Sequence, residues 1–226
     1  MTATIATDAT NPVQYFFEET TGGPGGTTSG WQTPNSYVDA GLNANTLYAY
    51  RVKARYAVLP TPNENTFSEI VDAATLFQTP GGIAFFNVTN DSAQVTATGT
   101  FTNLNAGMSG IYFDVSPPGA YGNAFTWIQS NTATITGLLA GQTYIVKAKA
   151  RNQDGIETAF GSSSQIDTIP FIGDCNNDGL LNVEGDIPCF VDALLGFDIP
   201  EGAIFRSDLN FDGFTDGLDV QEMVNC

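Results

Sequence analysis

Histidine is absent from all 226 residues, which removes the commonest general base and the commonest transition-metal ligand. Cations are scarce. Seven lysines and arginines stand against twenty-four acids, for a formal net charge of -17. Like charges repel, so sequence-independent binding to nucleic acid or to anionic lipid is excluded. No apolar run is long enough for membrane insertion, and Met1 to Ile5 lack the basic region and apolar core of a signal peptide. Only three cysteines occur, Cys175, Cys189 and Cys226. They suit one disulfide plus one free thiol, because zinc needs more ligands at closer spacing.

A catalytic constellation is missing too. Glu18 and Glu19 are adjacent, and adjacent strand residues point to opposite faces, so they cannot flank one bond. The glycine-rich stretch from Thr21 to Gly26 has no Gly-Lys-Ser/Thr sequel and reads as a strand connection, not a phosphate cradle. No serine, threonine or cysteine has a recognisable base partner. No enzyme is expected within these residues.

What is present, up to about residue 167, is a series of short runs rich in Val, Ile, Thr, Tyr and Phe, punctuated by Gly, Pro, Asn and Asp. Tyr48, Tyr50, Val52 and Ala54 alternate with Ala49, Arg51, Lys53 and Arg55, the period of a strand with one buried face. The cations are expected to keep the other face soluble; gripping an anionic ligand is the alternative. An internal repeat follows. Trp31, Gly41, Leu42, Tyr48 and Arg55 recur 96 residues later as Trp127, Gly137, Leu138, Tyr144 and Arg151. About a hundred residues of short strands per unit is the size of one β-sandwich.

Each unit resembles a fibronectin type III domain through Gly41-Leu42 with Thr46-Leu47-Tyr48 and Gly137-Leu138 with Thr143-Tyr144. The resemblance implies that Tyr48 and Tyr144 tie their hydroxyls back to the corner before the strand. The family's core tryptophan has no counterpart. Trp31 and Trp127 fall later, and are read as packing residues, with sugar-stacking platforms, and hence a carbohydrate ligand, as the alternative. Unit two opens on Gly82 to Val88 and then Gln94 to Thr100. Unit one begins at the equivalent of the later run, so it is expected to lack its first strand. Met1 reads as an internal methionine of a longer chain.

The last quarter differs. Twelve of the acids lie from Asp174 onward, where Arg206 is the only basic residue. They are spaced as ligands. Asp208, Asn210, Asp212, Asp216 and Asp219 occupy positions 1, 3, 5, 9 and 12 of a twelve-residue loop, with Gly213 at the sharp turn and Phe214 offering its carbonyl at position 7. That set suits a calcium ion, which takes six to eight oxygens. Asp174, Asn176, Asp178, the Leu180 carbonyl and Asn182 repeat the spacing upstream. There position 12 is Gly185, so closure falls to Asp186, one residue late, or to Glu184. Asp186 is preferred, and loop 208–219 is expected to be the stronger of two Ca2+ sites. Each loop is followed by a helical pattern. Pro188 fits the first turn of one, Ile187, Phe190, Val191, Leu194 and Leu195 form its apolar face, and Gly196 stops it. Val220, Met223 and Val224 form a shorter stripe after the second loop.

This duplicated loop and helix resembles a type I dockerin. The resemblance implies a calcium-dependent attachment module of polysaccharide-degrading enzymes, with a cohesin-like or other scaffold protein as partner. It also implies neighbouring termini, so that Cys175 bridges to Cys226, with Cys189 as the rival. The matching contact positions, Val183, Glu184, Gly217 and Leu218, lack the usual hydroxyl and basic residues, which puts a conventional cohesin in doubt. The fold expected is therefore multidomain. All-β sandwiches over 1–76 and 77–170 precede a small α-helical calcium-binding module over 171–226. The function expected is a non-catalytic C-terminal region of a secreted bacterial protein, docked through calcium. The alternative is a cell-surface adhesion or matrix protein. Any catalytic domain would lie upstream.

Overall fold

The computed structural model describes residues 1–7, 12–56, 63–119, 121–122, 124–197, 200 and 202–220. The chain divides into two compact units, one of residues 1–79, 99–111 and 149–160, the other of 80–98, 112–148 and 161–226. The stretch from 171 on, expected as a third domain, clusters with the second unit. A Cβ on Gly141 would lie 2.8 Å from Asn177 Oδ1.

In the first unit, β1 (Val13–Glu19) pairs antiparallel with β2 (Leu47–Tyr56), which pairs in turn with β3 (Asn63–Glu64) and β4 (Val71–Ala74). Gln32 bridges to Tyr15 on β1. Thr2 and Ser36 form an isolated bridge outside this sheet. The opening segment Thr2–Ile5, the equivalent of the run from Gln94 to Thr100, is reduced to that bridge, because its partner segment carries Pro34, which has no N–H to donate. The consequence shows on β2. Tyr48 is buried, but Tyr50, Val52 and Ala54 are only half-buried, so the clean inner face read from the alternation is incomplete. A groove of about 540 Å³ runs beside it, lined by Phe17, Leu42, Tyr48, Val52 and Ala74.

Two sheets follow. Strands β5 (Ile83–Phe86), β6 (Ser92–Ala97) and β9 (Thr132–Thr136) form one, in the order β5-β6-β9. The other joins β7 (Gly110–Ser116), β8 (Trp127–Ile128), β10 (Thr143–Arg151) and β11 (Ser164–Asp167) as β11-β10-β7-β8. Here alternation is complete: Tyr144, Val146, Ala148 and Ala150 are buried along β10. Val95 and Ile135 of the three-stranded sheet and Phe113 and Val146 of the four-stranded sheet are wholly enclosed. Two antiparallel sheets of seven strands, each burying one face, make a β-sandwich. The tyrosine corner is present in both repeats: Tyr144 Oη accepts from Leu139 N at 2.8 Å, and Tyr48 Oη from Asn43 N at 3.0 Å.

The terminal stretch holds two short helices. In α1 (Val183–Leu195), Asn182 caps the start by accepting from Gly185 N at 2.7 Å, and Gly196 closes it at φ 71. The cap sets the start at Val183, so Pro188 lies inside the helix and not in its first turn. The buried seam is also narrower than the apolar pattern implies. Asp186, Cys189 and Phe190 are buried and Leu194 partly so, whereas Ile187, Val191 and Leu195 are exposed. A five-residue helix, α2 (Ala203–Ser207), runs directly into the second loop. Helix resumes at 217–220. Met223 and Val224 lie outside the described residues.

Candidate metal centre

The two acidic loops, 174–186 and 208–219, share most of their hydrogen bonds. Asp174 accepts from Asp178 N at 3.1 Å and Gly179 N at 2.9 Å; Asp208 accepts from Asp212 N at 3.1 Å and Gly213 N at 2.8 Å. Asn176 Oδ1 and Asn210 Oδ1 each take the N–H two residues on at 3.0 Å. Asp178 Oδ1 accepts from Leu180 N and Asp212 Oδ1 from Phe214 N. Gly179 at φ 83 and Gly213 at φ 90 supply the left-handed turn that a side chain would strain. Leu180 and Phe214 expose their side chains, as residues contributing only a carbonyl can.

The two loops also close alike. Asp219 accepts from Asn210 N at 3.1 Å and Asp216 N at 2.8 Å, and also from Leu209 N at 2.7 Å, a bond that loop one does not repeat. Asp186 accepts from Asn176 N at 3.5 Å and Asn182 N at 2.8 Å, the equivalent positions. Glu184 is exposed. The first loop therefore absorbs its extra residue between Asn182 and Asp186, where the helix cap forms, and Asp186 folds back in the place of Asp219.

Asp174, Asp186, Asp208 and Asp219 are all buried. Among the described residues no three His, Cys, Asp or Glu side chains converge on one point. Each expected ligand set draws also on asparagine oxygen and on a backbone carbonyl. All of these are hard oxygen donors, the type calcium takes. Arg206 is buried beside loop one, donating to Asp174 O and Cys175 O. Burial pulls its pKa down from the ordinary value, against the Asp174 and Asp186 carboxylates, which hold it up. The disulfide joins Cys175 to Cys189, with Cα atoms 5.7 Å apart. The rival partner is the one used, because α1 lays Cys189 against the loop; Cys226 lies outside the described residues.

The repeated cations do not form a free row. Guanidinium carbons of Arg51 and Arg55 sit 4.1 Å from the ring centres of Phe67 and Trp31, and Lys53 lies between, 5.3 Å from Trp31. Trp31 packs on Phe16 at 5.3 Å and Trp127 on Tyr112 at 5.4 Å, the same pairing in each repeat. Arg51 pairs with Glu18, and Lys147 with Asp114. The tryptophans thus pack, and the cations are engaged by rings and acids. Sequence spacing places cations and tryptophans separately; the antiparallel register of β1 with β2 and the Tyr15–Gln32 bridge bring Lys53, Arg55 and Trp31 together.

No protein-family model matches the chain, and no curated protein matches it. Among solved structures, a two-fibronectin-type-III segment of chicken tenascin is similar at 16% identity and TM-score 0.45, over 72% of this chain and 95% of that one. A computationally redesigned β-sandwich protein is similar at 20% identity and TM-score 0.31, over 42% and 98%. The FN1–FN3 domains of chicken CNTN1 are similar at 14% identity and TM-score 0.32, over 70% and 57%. The sandwich itself stands on the strand order and buried faces above. Among the described residues no helix is long and apolar enough to cross a membrane.

Proposed function

We propose that the chain is a non-catalytic, fibronectin-like spacer region ending in a calcium-stabilised attachment element of an extracellular protein. The observation that carries this is the shared hydrogen-bond pattern of the two acidic loops, including the displaced closure by Asp186. Asp174, Asn176, Asp178, Asn182 and Asp186 would hold one calcium ion with the Leu180 carbonyl, and Asp208, Asn210, Asp212, Asp216 and Asp219 the other with that of Phe214. Calcium would supply the counter-charge that lets buried carboxylates share one site. The Cys175–Cys189 disulfide agrees with an oxidising compartment.

Attachment needs a surface. Leu180, Leu181, Val183, Phe211, Phe214 and Leu218 are exposed in and beside the loops, an unusual concentration of apolar groups. A groove of about 250 Å³ opens among Ile172, Leu181, Val183, Ile187 and Leu209. A scaffold protein, cohesin-like or other, is the partner this reading calls for, and attachment of a polysaccharide-degrading enzyme is the use the dockerin resemblance implies. Adhesion is the second reading, favoured by the tryptophan–aromatic pair repeated as Trp31 with Phe16 and Trp127 with Tyr112. Pull-down from secreted proteins of the source organism in calcium and in chelator tests the first. Capture of one defined partner only in calcium supports it, and capture independent of calcium contradicts it.

A further inference from the structure

Two loops with largely shared hydrogen bonds stand side by side in the sequence of one molecule. They differ in what holds them without a metal. In loop one, the disulfide pins Cys175, its second residue, to α1. Arg206 clamps the entry: its backbone oxygen accepts from Gly173 N at 2.7 Å, while Nε donates to Asp174 O at 2.7 Å and Nη2 to Cys175 O at 2.8 Å. Its positive charge also acts on the Asp174 and Asp186 carboxylates. The seat requires glycine at 202, where φ is 78 and a Cβ would lie 2.9 Å from Nη1. Loop two has neither device. Its carboxylates take backbone N–H groups and the Asn210 amide, and among the described residues no lysine or arginine pairs with Asp208, Asp212, Asp216 or Asp219.

Resting on the calcium reading above, we propose that Arg206 and the disulfide make loop one self-supporting, so that only loop two depends on calcium for its order. The physical reason is charge. Buried carboxylates without a cation are expensive, and in loop two Asp208 and Asp219 have backbone N–H groups but, among the described residues, no side-chain cation beside them. In loop one the guanidinium already offsets part of that cost. It thereby holds the loop in shape and lowers its attraction for a second cation. Arg206 is a positioning residue here: it touches the loop's carbonyls and sets where Asp174 sits.

The test is hydrogen exchange on the full chain, in calcium and in EGTA. Chelation is expected to cut protection at the Asp212, Gly213 and Phe214 amides by about tenfold or more, and to change that at Asp178, Gly179 and Leu180 by less than about threefold. In Arg206→Met, the loop-one amides are expected to become calcium-dependent as well. Equal losses in both wild-type loops would overturn the proposal while leaving calcium binding intact. No change anywhere would overturn both. Loop-one amides indifferent to chelation in a folded Arg206→Met variant would remove Arg206 from the account. Should that variant not fold, the wild-type comparison still decides between the loops.

Discussion

Asn45 has no exposed surface and a φ of 46, and its side chain is used on every side. The amide nitrogen donates to Thr102 O, Asn103 O and Ser109 Oγ, and Oδ1 accepts from Gln153 N at 2.9 Å. Asn45→Ala would leave buried partners unsatisfied, and is expected to lower the urea stability of the first unit by about 2–3 kcal/mol. Tyr144→Phe removes one acceptor, that of Leu139 N, and should cost about 1–2 kcal/mol in the same measurement. Asp39 offers a pH test. Burial pushes its carboxyl up, but bonds from Thr27 and from the Tyr50 hydroxyl outweigh this and leave it below its ordinary value. A lowered folded pKa contributes stability above the unfolded value and loses it as pH falls through the folded one. The urea midpoint should therefore drop as pH falls below about 4, and drop less in Asp39→Asn. At this scale the tyrosine corner is legible in the sequence, because Gly-Leu and Tyr lie six residues apart on one turn. The Asn45 partners are not, since they lie 57 to 108 residues away along the chain.

Strand β10 and strand β2 carry the same alternating pattern, yet only β10 buries a full face. Periodicity tells which face is apolar; it does not tell whether a second sheet arrives to cover it. That is why the pattern describes unit two well and overestimates unit one. In α1 the apolar stripe likewise marks the helix but not its buried seam, which the disulfide and Asp186 define. Two element-level tests follow. Gly161 approaches Pro80 so closely that a Cβ would fall 1.9 Å from its carbonyl oxygen. Gly161→Ala must displace backbone, and a loss of about 2 kcal/mol or more is expected in thermal unfolding. Reducing Cys175–Cys189, which span 14 residues, should destabilise the terminal stretch by about 3 kcal/mol. Non-reducing digestion and mass spectrometry should find that same pair joined.

Over the whole molecule, negative charge gathers at one end of the sequence, in two loops that arrange it alike. The spacing of ligand-type residues is enough to make both loops visible in the sequence. Even the offset of Asp186 can be anticipated, because carboxylates at loop closure are few. Arg206 cannot be placed that way: nothing in spacing says that the residue two before loop two clamps the start of loop one. On the proposed reading, bound calcium would offset the repulsion within such an accumulation of buried acid. The most direct measurement is calorimetric titration of calcium into the chelator-treated full chain. Two sites of unequal affinity are expected, with Asp219→Asn abolishing the tighter and leaving the weaker. Absence of any calcium-dependent heat, or an Asp219→Asn variant that still binds at both sites, would contradict the account.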